Sequence, residues 1–290
     1  MRFTYAESLC DPAMLPPLAR AAEDAGYDSF LVPDSLIYAA ESDTSYPYTP
    51  GGERSFLEDK PMLEPFTLIP WLAAATERLR FTVGVLKLAV RPPVLVAKQA
   101  ASVAVMSGGR LRLGVGISPW PEDFVALGQP WNQRGARMDE MIQIVRGLLA
   151  GGWFEHHGRH FDVPKLKINP VPTEPVKILV GGHSEPALRR AARYGDGWIH
   201  AGGDPAELPR LLDRLGRLRA EFGRDGEPFE LHVISPDGFT RDGVARLEDA
   251  GITDAIVGFR NPYTIEPDTQ TLEDKIAALR SFSDYVMAKP

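Results

Sequence analysis

A single cysteine, Cys10, is all the thiol in this chain of 290 residues. An intrachain disulfide is therefore impossible, and zinc sites built from several cysteines are excluded. No apolar run is long enough to cross a bilayer as a helix. The N-terminal MRFTYAES lacks the apolar core of a secretion signal and reads as a first strand. An excess of positive charge is also missing: 32 Lys and Arg face 39 Asp and Glu, for a formal net charge of −7. That balance argues against nucleic acid or an anionic membrane as main partner, while leaving room for a local basic pocket around a phosphorylated ligand. There is no low-complexity tract, and the composition, 44% hydrophobic and 24% charged, is that of a globular protein. The expectation is a cytoplasmic enzyme that acts on a small molecule.

The most informative stretch runs from 176 to 198, VKILVGGHSEPALRRAARYGDGW. The apolar run Val176 to Val180 predicts a buried strand, which Gly181 and Gly182 end. Ser184 then opens a helix, because serine is a favoured N-cap and Pro186 stands in the first turn, where a missing N–H costs nothing. A helix N-terminus carries unpaired N–H groups and a partial positive charge, and glycines before it let an anion approach the backbone. The unit reads in two ways, as a phosphate cradle or as a tight turn shaped by its glycines.

Short apolar runs begin near Phe3, Ser29, Leu79, Leu111, Val176, Gly197, Phe229 and Ala255. They lack the strict alternation of half-exposed strands, which fits a parallel sheet covered on both faces. Helical patterns follow them. Asp11 and Pro12 start the first and Gly26 ends it; Pro92 and Pro93 open another that runs to Ser107. Met138, Met141, Ile142, Val145, Leu148 and Leu149 repeat at helical spacing, as do Leu208, Leu211, Leu212, Leu215, Leu218 and Phe222. Leu272, Ile276, Leu279 and Val286 predict a last helix. Eight strand–helix units point to an α/β fold, a (β/α)8 TIM barrel with long loop insertions over residues 1–290, with a doubly wound open sheet as the alternative. Residues 35–63 follow the second strand and so belong to the C-terminal face, where barrels keep their active sites. Residues 151–175 follow a helix and are expected at the opposite end. Within them, His156, His157 and His160 share no helix face and have no fixed carboxylate partner, so no metal site is expected.

Four blocks are familiar in order and spacing: FLVPDSL at 30–36, RLRFTVGVLKLAVRPPVLVAKQAASVAVMSGGRLRLGVG at 78–116, FVALGQPWNQRGARMDEMIQIVRGLL at 124–149 and VGGHSEPALRRAARYGDGW at 180–198. On these the chain resembles the bacterial luciferase-like monooxygenase superfamily, and in particular its short members that use the deazaflavin coenzyme F420.

The resemblance implies a barrel with a flavin or deazaflavin at its C-terminal mouth. It implies a bulge with a non-proline cis peptide in the third strand, against the ring, matched by Val83, Gly84, Val85 and Leu86. Gly116, Ile117 and Ser118 match positions near the ring; Gly181, Gly182, His183 and Ser184 match the site for the cofactor phosphate, with Trp198 and Ala201 beside it. Asp34 and Ser35 stand where many deazaflavin-using relatives have Asp-His. Ser35 can donate a hydrogen bond but does not titrate near neutral pH, and Asp34 contacts the ring system or caps the loop. Glu7 resembles the carboxylate that sugar-phosphate dehydrogenases of the superfamily present to substrate; a carboxyl in a closed, apolar site has the raised pKa that suits an acid or base, and the alternative is a cap for Ser8. Glu122 and Asp123 are weaker candidates, and His200 either faces the pocket or is structural. Arg134 and Arg137 are expected to pair with neighbouring acids, with Asp139 and Glu140 in a first helical turn. Tyr38, Tyr46, Tyr48 and Phe56 either cover the pocket as part of a lid or pack their loop on itself. The implied function is hydride transfer between F420 and a small organic substrate, with Glu7, Asp34 and Ser35 as catalytic candidates. The alternatives are an FMN-dependent monooxygenase using dioxygen and a non-enzymatic flavin-binding barrel. Relatives often form homodimers, and a homodimer is the expected assembly.

Overall fold

The short apolar runs become strands. The computed structural model describes residues 1–46, 49 and 51–288. Its strands are β1 (Arg2–Ala6), β2 (Ser29–Val32), β3 (Arg80–Val83), β4 (Leu86–Lys87), β5 (Leu111–Gly116), β6 (Phe154–His157), β7 (Asp162–Leu166), β8 (Lys177–Gly181), β9 (Gly197–His200), β10 (Glu230–Val233) and β11 (Asp254–Val257). The α-helices are α1 (Leu15–Asp24), α2 (Pro65–Ala74), α3 (Pro93–Met106), α4 (Pro121–Ala126), α5 (Arg134–Leu149), α6 (Glu185–Tyr194), α7 (Leu208–Glu221), α8 (Arg241–Asp249) and α9 (Leu272–Phe282).

All strands but β6 and β7 join one parallel sheet in the order β3-β2-β1-β11-β10-β9-β8-β5-β4, and β3 also pairs with β5. The sheet therefore closes on itself as a TIM barrel, and the open-sheet alternative falls away. β3 and β4 are two halves of one stave. Thr82 stands opposite Arg112 while Leu86 stands opposite Val115, so this stave carries one residue more than its neighbour between those points. The expected bulge is thus present, and the Gly84–Val85 peptide bond is cis.

Side chains alternate across a strand, and the bulge shifts that alternation. Val85 joins the small apolar cluster of the barrel interior with Leu31, Leu179, Ile199, Ile234 and Ile256. Leu86 turns the other way, into the main core between sheet and helices. The N-terminal end of the barrel is closed by charge. Arg2 pairs with Asp254 at 2.6 Å, Arg112 with Glu230 at 3.2 Å, and His232 Nε2 lies 3.1 Å from Glu230.

Local signals account for the helix ends. Asp11 accepts from Ala13 N to start a 3-10 turn that leads into α1, and Gly26, at φ +86, ends it. A Thr271–Asp274 capping box opens α9. Periodicity does not single out the α2 segment, because FTLIPWLAA is apolar nearly all round and shows no stripe.

Residues 151–175 differ from the expected loop. β6 and β7 form an antiparallel hairpin that returns along α5. Glu140 accepts hydrogen bonds from the backbone N–H groups of Arg159, His160 and Phe161 at 3.0 to 3.1 Å, which holds the hairpin tip against the second turn of α5. The arginines differ too. Arg137 donates to the Gln129 side chain at 2.7 Å and to Pro130 O at 3.2 Å, and Arg134 lies 3.5 Å over the Trp131 ring. They meet carbonyls and an aromatic face rather than acids because α5 already begins at Arg134. That start moves Asp139 into the second turn, where it pairs with Arg190. Among the described residues, no helix is long and apolar enough to cross a membrane.

The barrel leaves no space at Gly114: a Cβ there would lie 1.9 Å from Val83 O and 2.6 Å from Ile199 Cδ1. Gly114→Ala should cost about 2–4 kcal/mol in urea unfolding. Gly216→Ala, at an exposed position of α7 with nothing within 4 Å, should instead stabilise by about 0.5–1 kcal/mol.

Candidate active site

The inward-facing positions at the C-terminal ends of the barrel strands are almost without side chains. Ala6, Gly84, Gly116, Gly181, Ala201 and Gly258 all line one cavity of about 410 Å³, whose inner end is the apolar cluster around Val85. Glycines here are a packing requirement. A Cβ on Gly116 would lie 2.6 Å from Val85 Cγ2, and one on Gly181 would lie 2.9 Å from Val85 Cγ1. Val85 thus fills the centre of the barrel only because its neighbours across the mouth are bare backbone.

Three buried charge groups surround this apolar space. Asp34, its side chain fully buried, accepts from both terminal nitrogens of Arg91 at 2.8 and 3.0 Å and from Lys87 N at 2.8 Å. Both its oxygens are engaged in tying the end of β2 to the bulged stave. Lys87, absent from the sequence-based candidates, lines the cavity. Its Nζ lies 2.7 Å from Asp123 Oδ2 and 3.4 Å from Ser35 Oγ. The Ser118 hydroxyl bonds to Asp123 and accepts from Trp120 N, so Ser118 stands behind the wall and does not line the cavity. Glu7 does not sit in apolar surroundings as expected. Its oxygens meet Arg260 Nη2 at 3.0 Å, Lys275 Nζ at 3.2 Å and Ser8 N at 3.1 Å, and Lys275 also pairs with Asp268 at 2.8 Å. The reason is tertiary: Arg260 and Lys275 come from the opposite end of the chain.

The glycine turn after β8 reaches the cavity through Gly181 and Gly182. Gly182 adopts φ +114, a conformation that disfavours side chains, and its carbonyl accepts from Trp198 Nε1 at 2.9 Å. Trp198 itself is fully buried in the outer core, so it supports the turn from behind. The His183 ring stacks on His200 (4.5 Å between centroids, 17° between planes) and accepts from Ala201 N at 3.1 Å. Its ring therefore braces the turn, and what the turn offers a ligand is backbone. Ser184, exposed, occupies the N-cap of α6 without a side-chain capping bond. His200 is structural: burial first, then the neighbouring His183 ring, push its pKa down to about 4.

The loop 35–63 does not pack only on itself. Tyr46 stacks on Trp120 of the loop after β5 (5.4 Å, 14°), and Phe56 meets Tyr263 of the loop after β11 edge-on at 5.1 Å. Arg54 lies over both Tyr38 and Trp120. The loop crosses the mouth; Tyr48 falls outside the described residues.

Of the residues picked from sequence, Glu7, Asp34, Ser35, Gly84, Val85, Gly116, Gly181, Gly182 and Ala201 are brought around the one cavity. Leu86, Ser118 and Trp198 are buried behind its wall, and His183 and Ser184 stand at the start of α6 without lining it. Lys87, Arg260 and Tyr263 line the cavity without a signal in the sequence that marks them. His156 meets Glu140 and His157 meets Asp162, each in a separate pair. The one metal-like grouping among the described residues, Glu230, His232 and Asp254, lies at the other end of the barrel, with its carboxylates paired to Arg2 and Arg112. Burial pushes Glu230 up, but His232 and the two arginines outweigh it and bring the carboxyl to about 2.

Residues 5–257 match the sequence profile described as luciferase-like monooxygenase, and the chain belongs to that family. An uncharacterized protein of Mycobacterium tuberculosis is 58% identical over 289 residues, covering 100% of both chains. The fold is similar to that of the coenzyme F420-dependent tetrahydromethanopterin reductase of Methanopyrus kandleri, with TM-score 0.73, 15% identity and coverage of 99% of this chain and 98% of that one. It is similar as well to a monooxygenase of Streptomyces bottropensis, with TM-score 0.71, 18% identity and coverage of 99% of each. At these identities the two structures share the fold with this chain.

Two outcomes are expected. Gly116→Ala must displace Val85, and should weaken binding of the cavity's ligand by roughly tenfold or more, read by equilibrium titration, with far-ultraviolet circular dichroism retained. The His200 imidazole has a folded pKa of about 4 against an ordinary 6.5, so as pH falls the unfolded chain takes up the proton first. Its contribution is whole above 6.5 and shrinks as pH drops towards 4. The stability difference between wild type and His200→Gln should narrow across that window in urea unfolding; a constant difference would contradict a neutral His200.

Proposed function

We propose that this chain is an oxidoreductase that moves hydride between coenzyme F420 and a small organic substrate, working as a single barrel domain. The observation that carries this reading is the cavity whose rim is bare backbone at Gly84, Gly116 and Gly181, and which adjoins the turn into α6. Such a site fits a flat, phosphate-tailed coenzyme. Backbone without side chains lets a ring system approach, and a helix N-terminus behind a glycine turn suits an anion. When bound, the coenzyme supplies the carbon that gives or takes the hydride. The chain's own residues bind and orient. The Gly84–Val85 backbone would support the ring, and the backbone of Gly181, Gly182, His183 and Ser184 would hold the phosphate. Asp34 fixes the bulge through Lys87 N and Arg91. Glu7 holds Arg260 at the cavity wall, where its guanidinium meets electron-rich groups of the substrate. The Tyr46–Trp120 stack keeps water from the mouth.

The F420 assignment is supported by the near-complete overlap in both directions with an F420-dependent reductase. The equally complete overlap with a monooxygenase favours a second reading, an FMN-dependent monooxygenase that uses dioxygen. Trp120 lines the cavity and reports on occupancy. Tryptophan quenching should saturate with F420, with FMN weaker by at least about tenfold. Tighter binding of FMN would overturn the F420 reading.

A further inference from the structure

We propose that Lys87 is a catalytic acid of this cavity, and that its ammonium holds and protonates the oxygen of a neutral carbonyl substrate. The inference rests on the hydride-transfer reading and adds to it the proton and the substrate class. Lys87 faces inward only because the bulge shifts the alternation of its stave, as it does for Val85. An ammonium has three donors. Among the described residues Nζ forms an ion pair with Asp123 at 2.7 Å and donates to Ser35 at 3.4 Å, which leaves a donor for a ligand in the cavity that both Lys87 and Ser35 line.

The charges around this corner select the ligand. Asp123, on α4, balances Lys87; Asp34, at the end of β2, is balanced by Arg91. The Lys87 side chain is only 7% exposed and that of Asp123 1%, so these pairs are scarcely screened by solvent. A corner that is already neutral needs no charged substrate to balance it, and it gives an alkene nothing to bind. It favours a neutral acceptor on which charge develops only during reaction, which is the behaviour of a carbonyl oxygen. The carbonyl carbon would accept a hydride, both electrons included, from a reduced coenzyme of the deazaflavin or flavin class. The carbon–oxygen π pair moves to oxygen, and oxygen takes a proton from Lys87 Nζ to give an alcohol. The neutral amine then regains a proton from water. Asp123 is a positioning residue: it keeps Nζ beside Ser35.

The probe is 4-nitrophenol, whose phenolate places an anionic oxygen on a small ring and is read by its own absorbance. Added to the coenzyme-free full-length protein across a pH series, the bound phenol should ionise about one pH unit lower than free phenol, roughly tenfold more acidic. Lys87→Met should remove that shift. Because this variant leaves Asp123 buried and unpaired, Lys87→Met/Asp123→Asn, which removes both charges, is measured beside it. Lys87→Arg should keep the shift but lower turnover by about 100-fold or more on a carbonyl panel, because a guanidinium does not release its proton. No shift in the wild type, an unchanged shift in both methionine variants, or full turnover in Lys87→Arg would overturn the proposal. Coenzyme titration is a separate measurement. A Lys87-dependent shift in a protein that binds neither coenzyme upholds the oxyanion corner and sinks the hydride-transfer reading. Coenzyme binding with a shift indifferent to Lys87 does the reverse.

Discussion

The site depends on one packing constraint: a parallel barrel can hold a cavity at its mouth only where the last inward side chains are missing. In this chain Ala6, Gly84, Gly116, Gly181, Ala201 and Gly258 meet that requirement. One layer deeper, Leu31, Val85, Ile199, Ile234 and Ile256 fill the barrel as apolar side chains normally do. The boundary is tight. Val85 fits between Gly116 and Gly181 with no room for a methyl group on either. Cavity shape, ring-sized access and the proximity of the α6 turn all follow from that arrangement.

Charge is handled by pairing. Burying an isolated carboxylate or ammonium is costly, and each buried ion near the mouth has a partner: Asp34 with Arg91, Lys87 with Asp123, Glu7 with Arg260 and Lys275. The same rule closes the opposite end, where Arg2, Arg112, Glu230, His232 and Asp254 form one network. The two ends differ in what they leave over. Below, the arginines and carboxylates occupy each other; above, Lys87 borders an open cavity. Asp34 shows how one pair organises a site, because its hydrogen bond to Lys87 N joins the end of β2 to the stave whose bulge turns Val85 and Lys87 inward.

The mouth is covered by residues that come from distant parts of the chain. Tyr46 and Phe56 lie on the loop after β2, Trp120 on that after β5, Tyr263 on that after β11. Aromatic rings suit this because they present large apolar faces in offset stacks or edge contacts without requiring one exact geometry. Polar side chains hold the glycine turn from behind, through Trp198 Nε1 on Gly182 O and the His183–His200 stack.

Local physics made much of this legible in the residue order. Strand starts, the Asp11–Pro12 turn, Gly26, the Pro93 helix and the Val176–Ser184 strand–turn–helix all follow from propensity, capping and periodicity over a few residues, and they are found where expected. The family blocks located Gly84, Gly116 and Gly181 at the mouth. What the sequence could not decide is which way Leu86 and Lys87 point, because that depends on one extra residue in a strand pairing and flips every side chain after it. Nor could it show Glu7 between Arg260 and Lys275, since 253 and 268 residues separate those pairs along the chain. The residue order determined the barrel and its bare rim; the closure of the barrel decided which charges face that rim, because only closure brings the first strand, the bulged third stave and the last helix together.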